Sequence, residues 1–194
     1  MTVGWTRFRR AATVAVAAIT TAGMLASPAM AQQPVHIDES DILPVIGPLV
    51  TDGSDPVILF GTLSNVGGVR SAQFNFSAGE TIRLTIGIPN RAPETAIPSG
   101  NLPFAVLVAP NYRPTILRPN VRTVSTSPDG KSYIVLREYV GTAAVSGAYS
   151  LNVSGTVAGR FFVASGDAAD TVFNGIQRGA VASQAQYNNW YTTP

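Results

Sequence analysis

The sequence predicts an all-β protein, an antiparallel β-sandwich or jelly roll of about eight strands followed by a short C-terminal helix or tail. Apolar and polar residues alternate over several short segments, which is the period of a strand with one buried face. Turn residues separate these segments at intervals of roughly 8 to 20 residues, and the 194 residues include 18 glycines and 14 prolines. No helical stretch lies between the segments, although parallel strands would require crossover helices there.

Residues 1–31 have the composition of a removable export signal. Three arginines lie within the first ten residues, the stretch from Ala11 to Ala26 is mostly apolar and uncharged, and Ala29-Met30-Ala31 supplies a small-x-small cleavage site. The apolar stretch is shorter than the roughly 20 residues of a membrane span. We therefore expect a cleaved signal, with Gln32 as the first mature residue and an uncleaved anchor as the alternative. No later stretch predicts a transmembrane segment, so the expected location is extracellular or the cell envelope.

Composition divides the remaining chain into three parts. Residues 32–55 hold five of the 11 acidic residues and several prolines, and we expect an irregular acidic lead-in there. Residues 56–166 carry the strand pattern of the sandwich, and residues 167–194 are expected to form the C-terminal helix or tail.

Cysteine content and charge narrow the possible functions. The chain has no cysteine, so its fold must depend on a hydrophobic core without disulfides, which is more typical of bacterial than of eukaryotic secreted domains. Beyond the expected signal, ten basic residues face eleven acidic ones. This balance argues against a nucleic-acid partner, because such binding requires clustered positive charge.

The first strands are predicted from an apolar run and a clear alternation. Residues 57–60 are apolar and end at Gly61, and residues 71–77 and 81–88 then alternate on either side of the Ala78-Gly79 turn. The alternation predicts a β-hairpin with one apolar face. Its apolar positions are Ala72, Phe74, Phe76, Ile82, Leu84, Ile86 and Ile88.

Five further strands are predicted beyond Pro89. They cover residues 102–108, 121–124, 133–136, 147–154 and 160–164, and a Ser-Pro-Asp-Gly turn precedes the third of them. Near the C-terminus, Val172, Phe173, Ile176 and Ala180 have helical spacing. A short helix or turn is therefore expected there, followed by a loose tail.

Two segments resemble the bacterial pre-peptidase C-terminal domain, a small jelly-roll β-sandwich found on exported proteins. The segment from Phe74 to Ile86 has the family's aromatic-x-aromatic pair, Ala-Gly turn and alternating strand, and the segment from Ser146 to Val153 resembles its Gly-x-Tyr-x-Leu-x-Val strand. The resemblance covers about residues 56–165 and implies an accessory or binding role. The family often has aspartates before the aromatic pair, where this chain has Arg70-Ser71-Ala72-Gln73, so a calcium site that depends on them is not implied.

The predicted binding surface is a basic loop. No acidic residue lies between Glu94 and Asp129, whereas three arginines fall within ten residues. Arginine suits bidentate contact with carboxylate or phosphate, so an anionic envelope polymer or an acidic protein is the expected partner. The candidate residues are Tyr112, Arg113, Arg118 and Arg122. The aromatic residues Tyr187, Trp190 and Tyr191 either stack on sugars or pack back on the sandwich, and packing is favoured because large aromatics gain most from burial.

The acidic lead-in is the candidate metal site. Calcium takes six to eight oxygen ligands, often from carboxylates close in sequence, although the spacing here is not that of an EF-hand. No cofactor is required by the sequence, and calcium is the one considered. The candidate ligands are Asp38, Glu39, Asp41, Asp52 and Asp55.

The residues needed for common hydrolase mechanisms are sparse, so no catalytic residue is assigned. The single histidine, His36, lies in the expected lead-in, where a catalytic imidazole would lack rigid orientation. The acids between residues 56 and 166 include no obvious glycosidase pair; they are Glu80, Glu94, Asp129 and Glu138. We therefore expect a non-enzymatic binding or accessory module. The alternatives are a hydrolase without a catalytic histidine and a purely structural envelope protein.

Overall fold

The computed structural model describes residues 32–64, 66–127, 129–167 and 172–194. The expected signal peptide lies outside these residues. In chain order the strands are β1 (Gln33–His36), β2 (Leu49–Val50), β3 (Val57–Leu63), β4 (Val69–Phe76), β5 (Thr81–Pro89), β6 (Phe104–Val108), β7 (Pro114–Leu117), β8 (Thr123–Thr126), β9 (Ser132–Thr142), β10 (Gly147–Ser154), β11 (Gly159–Ser165) and β12 (Ile176–Arg178). Two 3₁₀ turns (Glu94–Ala96 and Ser99–Asn101) and the helix α1 (Gln184–Thr192) complete the described elements.

The strands form two six-stranded sheets, which confirms the predicted β-sandwich. Sheet A has the order β1-β3-β11-β5-β9-β8, and sheet B has the order β12-β2-β4-β10-β6-β7. Most neighbours are antiparallel, but β1 pairs with β3 and β2 with β4 in parallel. Both parallel pairs involve the segment before β3, so the first strands of the domain extend the two sheets at the same side of the sandwich.

The lead-in is more ordered than predicted. Residues 32–55 contain β1 and β2, and β1 adds to sheet A while β2 adds to sheet B. The buried pairs Pro34-Val35 and Leu49-Val50 provide the apolar side chains for these short strands. The segment is therefore irregular only outside these two strands, because two apolar residues suffice for a short strand that pairs with an existing strand of a sheet.

The predicted hairpin between β4 and β5 is also wrong. Both strands and the Ala78-Gly79 turn are present, and Gly79 has the left-handed φ of +87° that this turn requires. However, β4 pairs with β2 and β10 in sheet B, whereas β5 pairs with β9 and β11 in sheet A. The chain crosses from one sheet to the other at this turn, so the two apolar faces lie opposite each other.

The main core fills the space between the two sheets. The fully buried residues of this core are less than 4% exposed and include Phe74, Leu84, Leu151 and Phe161. Residues at β3 and β11 are buried on the outer face of sheet A as well, because α1 packs there on Phe60 and other side chains. Double burial explains why these two strands are continuous apolar runs instead of alternating ones.

The C-terminal prediction placed the helix too early. Residues 176–178 form β12, and Gly175 and Gly179 on either side have left-handed φ values of +107° and +88° that end any helix. The helix is α1 instead, where Ser183 and Gln186 form a reciprocal capping box. The residues expected to be a loose tail are therefore helical and packed on sheet A.

Candidate binding site

The β6–β7 hairpin carries two of the predicted binding residues at its tip. The Tyr112 N–H donates to the Ala109 carbonyl at 2.9 Å, and the Ala109 N–H donates to the Arg113 carbonyl at 3.1 Å. This pattern is a type I turn followed by one residue in the left-handed region, which is the usual form of a three-residue hairpin loop. The left-handed residue is Tyr112, with φ of +59°.

Tyr112 is an unusual residue for that position. Glycine is the default choice for a left-handed φ, because a Cβ there costs about 1–2 kcal/mol. Tyr112 is the one non-glycine residue with positive φ in the ranges that the structure describes. Its side chain is 88% exposed, so packing does not offset the strain. Backbone strain that is not offset by packing is typical of functional positions.

A cleft of about 180 Å³ opens beside this tip, between the two sheets. Sheet B and the hairpin loop supply one wall, with Asn111, Arg113 and Thr115, and strand β9 of sheet A supplies the other. The floor is apolar and includes buried core side chains. The complete lining is Ile82, Leu107, Ala109, Asn111, Arg113, Thr115, Tyr139, Thr142, Ala144 and Tyr149.

Arg113 is the one charged residue among those that line the cleft. Arg113 is exposed, and none of the hydrogen bonds or ion pairs between described side chains uses its guanidinium group. None of the lining residues is acidic. An exposed arginine beside tyrosine rings and an apolar floor suits a ligand that carries a carboxylate or phosphate next to an apolar or ring-shaped part.

The other two arginines of the predicted surface lie elsewhere. Arg113 and Arg118 flank the edge strand β7, and five steps along a strand separate them by about 16 Å. The Arg118 guanidinium stacks on the Phe104 ring at 5.1 Å. Arg122 donates from Nη1 to the Ile97 carbonyl and from Nη2 to the Thr95 carbonyl, both at 2.9 Å. Tyr112 and Arg113 are thus brought together, whereas Arg118 stacks on a ring and Arg122 fixes a 3₁₀ turn.

The five candidate calcium ligands lie in two separate loops. Asp41 is hydrogen-bonded through its backbone to Ser71, and Gly53, beside Asp52, is bonded in the same way to Asn75. Those positions are four residues apart on β4, or about 13 Å. Among the described residues, no group of three or more histidine, cysteine or acidic side chains is positioned to hold a metal ion. The five carboxylates therefore do not form one site, and calcium binding stays a prediction.

Each acidic loop instead uses its carboxylates locally. The Asp38 N–H donates to Asp41 Oδ2 at 2.8 Å, and the Ser54 N–H donates to Asp52 Oδ1 at 2.9 Å. Asp55 is buried and accepts from the backbone and side-chain nitrogens of Asn174 at 2.9 and 2.8 Å. Burial raises the pKa of Asp55, and the hydrogen bonds from Asn174 oppose that rise only in part.

A second depression of about 360 Å³ lies on the outer face of sheet A, where α1 does not reach. Strand register pairs Arg83 with Val140 and Thr85 with Glu138 on this face. Arg83 and Glu138 therefore bring opposite charges to neighbouring positions in the same depression. Unlike the cleft beside Tyr112, this groove does not select for one sign of charge.

Sequence reasoning missed a buried ion pair that fastens the C-terminal helix. Arg160 Nη2 lies 2.5 Å from Glu94 Oε2, and both side chains are at most 2% exposed. Arg160 Nη1 also donates to the carbonyls of Trp190, Tyr191 and Thr193 at 2.9 to 3.1 Å. Burial would raise the pKa of Glu94, but the hydrogen bonds from Arg160 outweigh it and lower the pKa. The pair is structural, since it is enclosed between β11, the first 3₁₀ turn and the helix end.

The aromatic residues of α1 pack on sheet A, which is the alternative that the sequence favoured. Trp190 lies 5.1 Å from the Phe60 ring and donates from Nε1 to the Gly61 carbonyl at 2.9 Å. The hydroxyl groups of Tyr133 and Tyr187 are 2.6 Å apart, and burial raises the pKa of both. These rings are therefore not free to stack on a sugar.

A comparison with solved structures matches the chain to the pre-peptidase C-terminal domain of a collagenase from Bacillus anthracis. The two are 13% identical, the match covers 69% of this chain and 95% of that domain, and the TM-score is 0.37. The chain resembles a pre-peptidase C-terminal domain. The sequence motifs indicated the same family. No family model and no curated protein matches the chain.

Among the described residues, no helix is long and apolar enough to cross a bilayer.

Proposed function

We propose that this chain is an exported, non-enzymatic binding module that uses the Tyr112–Arg113 hairpin tip and the adjoining cleft to bind an anionic partner. The observation that carries the proposal is the exposed Tyr112 at a left-handed position. A residue that weakens the fold and packs on nothing is best explained by contact with another molecule.

The chemistry of the site favours a carboxylate- or phosphate-bearing polymer of the cell envelope, or an acidic protein surface. Arg113 offers two parallel N–H donors to such a group. Tyr112 adds a flat ring with a polar end, suited to stacking on a sugar or on a peptide side chain. The export signal expected over residues 1–31 would bring the protein to both kinds of partner.

The test is a binding titration with defined probes. Polygalacturonate represents acidic polysaccharides and poly-glutamate represents acidic proteins, so comparing them separates the two partner classes. We expect binding of the parent protein to at least one probe. Arg113→Ala should weaken that binding about tenfold or more, since a hydrogen bond to a charged group contributes about 1.5–3 kcal/mol.

Arg122→Ala is the matched control, because it removes the same charge from a residue that is already bonded to two carbonyls. It should leave the affinity within about twofold of the parent. Equal losses of affinity in both variants would mean that binding depends only on net charge. Unchanged affinity in Arg113→Ala would show that the hairpin tip is not the binding site.

The alternatives have their own readouts. Reproducible turnover in a broad hydrolase screen with the purified protein would replace the binding module by an enzyme that lacks a catalytic histidine. Failure of every probe, and of envelope extracts, to bind would favour a purely structural envelope protein.

A further inference from the structure

A second surface lies far from the hairpin tip, in the loop between β1 and β2. Four aliphatic side chains in five residues are between 48% and 68% exposed, namely Ile42, Leu43, Val45 and Ile46. Single exposed aliphatic residues are ordinary, but a contiguous group on one loop is typical of an interaction surface. We call residues 42–46 the aliphatic loop.

The aliphatic loop is held in place by its backbone. Arg178 of β12 donates from Nε to the Gly47 carbonyl at 2.6 Å and from Nη2 to the Pro44 carbonyl at 2.8 Å. Ser71 of β4 donates from its N–H to the Asp41 carbonyl at 2.7 Å. The carbonyls are thus bonded to the sandwich while the side chains face solvent. Such preorganisation lowers the entropic cost of binding.

The charge around the loop is mainly negative, and the guanidinium of Arg178 is occupied by the Gly47 and Pro44 carbonyls. Residues 32–55 contain five acids and no lysine or arginine, and Asp38 and Glu39 are both exposed beside the loop. Acidic neighbours disfavour an anionic lipid surface. They favour a protein surface that combines exposed apolar side chains with basic ones.

The opposite edge of sheet B has that complementary character. The loop lies at the β2–β12 side of the sheet, whereas β7 forms its other edge. Ile116 of β7 is exposed, and Arg118 follows directly after β7. No acid occurs between residues 95 and 128. The edge of β7 also keeps the unpaired backbone groups of a terminal strand.

We propose that copies of this chain associate head to tail, with the aliphatic loop of one copy against the Ile116–Arg118 edge of the next. Apolar side chains meet apolar side chains, and the acids beside the loop meet arginine. The two surfaces are different and lie on opposite edges of one sheet, so the contact does not close on itself as a two-fold dimer would. Repetition gives an open chain of molecules.

The test uses two variants that each destroy one half of the contact. The loop variant carries Leu43→Asp and Val45→Asp, and the edge variant carries Ile116→Asp and Arg118→Glu. All four positions are exposed, so unchanged circular dichroism and thermal unfolding are expected. Sedimentation velocity is measured on protein recovered from an exporting bacterial host, up to about 1 mM, near the weak end of specific association.

The parent should form a concentration-dependent series of oligomers, and each variant alone should be monomeric. An equimolar mixture of the two variants should form a dimer and nothing larger, because each supplies the half that the other lacks. Association should weaken when salt is raised from about 0.05 M to about 0.5 M. Val66→Asp, at an exposed aliphatic residue of the β3–β4 turn, is the matched control and should associate like the parent.

A monomeric parent over the whole range would overturn the proposal, and so would a mixture that contains no dimer. A monomeric parent that binds phosphatidylcholine vesicles through the aliphatic loop would also overturn it, and would assign the loop to lipid. Tyr112→Gly should associate like the parent. The head-to-tail contact can therefore fail or succeed independently of anion binding at the hairpin tip.

Discussion

At the scale of single residues, Tyr112 has a backbone conformation that its exposed side chain does not stabilise by packing. The backbone around it has the hydrogen bonds of a three-residue hairpin loop. In such a loop the last residue has a left-handed φ, and glycine is preferred there. The sequence indicated the Tyr112–Arg113 pair because Arg113 is charged and Tyr112 is an aromatic residue next to it. It could not reveal the strain at Tyr112, because the φ of that residue depends on how the two strands pair across the loop. The structure therefore supplies the more specific reason for regarding this residue as functional.

Tyr112→Gly should raise the free energy of unfolding by about 1 kcal/mol, since it removes an unfavourable Cβ contact. Tyr112→Ala keeps the Cβ and should change stability little. Urea unfolding of the two variants and the parent gives the comparison. Glycine no more stable than alanine would show that the position is unstrained.

Calcium binding is decided by its effect on stability. An ion that binds only the folded protein must raise the midpoint temperature of thermal unfolding. Because the acids at positions 38–41 and 52–55 lie in separate loops and bond locally, we expect the same midpoint with millimolar calcium and with chelator. A reproducible rise with calcium, lost in Asp52→Asn or Asp38→Asn, would restore the candidate site.

At the scale of elements, the sequence predicted where strands lie better than it predicted their partners. Alternation identifies the buried face of β4 and of β5, but both faces point into the same core whether the strands are neighbours or lie in opposite sheets. The turn at Ala78-Gly79 does not decide between these arrangements. Pairing with β10 and β9, more than 40 residues away, decides it.

Short elements were missed because their patterns are brief. Strand β7 begins at a proline, which is tolerated at the start of an edge strand. Helix α1 has a signal that was available in the sequence: Ser183 with Gln186 three residues later, followed by aromatic residues on one face at 187, 190 and 191. The apolar spacing over residues 172–180 drew the prediction to the wrong segment.

Docking of α1 on sheet A should contribute strongly to stability. Trp190→Ala removes its ring from Phe60 and its donor from the Gly61 carbonyl, and should cost about 3–5 kcal/mol. Trp190→Phe keeps an aromatic ring and should cost less. Chemical unfolding followed by circular dichroism measures both. A parent-like stability for Trp190→Ala would mean that the helix is not part of the cooperative fold.

The Arg160–Glu94 pair makes a prediction about pH. Glu94 has a pKa below its ordinary value of 4.5 in the folded protein, so its stabilising contribution is present above that value and is lost as pH falls through the folded pKa. Glu94→Gln leaves Arg160 buried and should cost about 3–5 kcal/mol near neutral pH. The difference from the parent should shrink in acid below about pH 4. A difference that stays constant with pH would contradict this account of the pair.

At the scale of the whole molecule, the candidate site is made by the assembly of the two sheets. The cleft joins residues 82, 139 and 142 of sheet A to residues 107, 115 and 149 of sheet B. Proximity across so many residues is set by packing, and one sequence does not reveal it. Arg113 and Arg118 are only five residues apart, but they lie at opposite ends of β7 because an extended strand separates them.

The two surfaces also divide the molecule by charge. Asp38 and Glu39 lie beside the aliphatic loop at one side of the sandwich, while Arg113 and Arg118 flank β7 at the other edge of sheet B. An anionic partner is therefore expected to approach from the β7 side. Such attraction raises the rate of encounter and weakens as salt increases.

The most direct test of the binding account is an NMR titration of the isotope-labelled protein with oligogalacturonate. We predict concentration-dependent shifts of the backbone amides of Asn111, Tyr112, Arg113 and Thr142, with the aliphatic loop and α1 unchanged. Shifts confined to the groove at Arg83 and Glu138, or no shifts at all with this or any other anionic polymer, would contradict the proposal that the hairpin tip is the binding site.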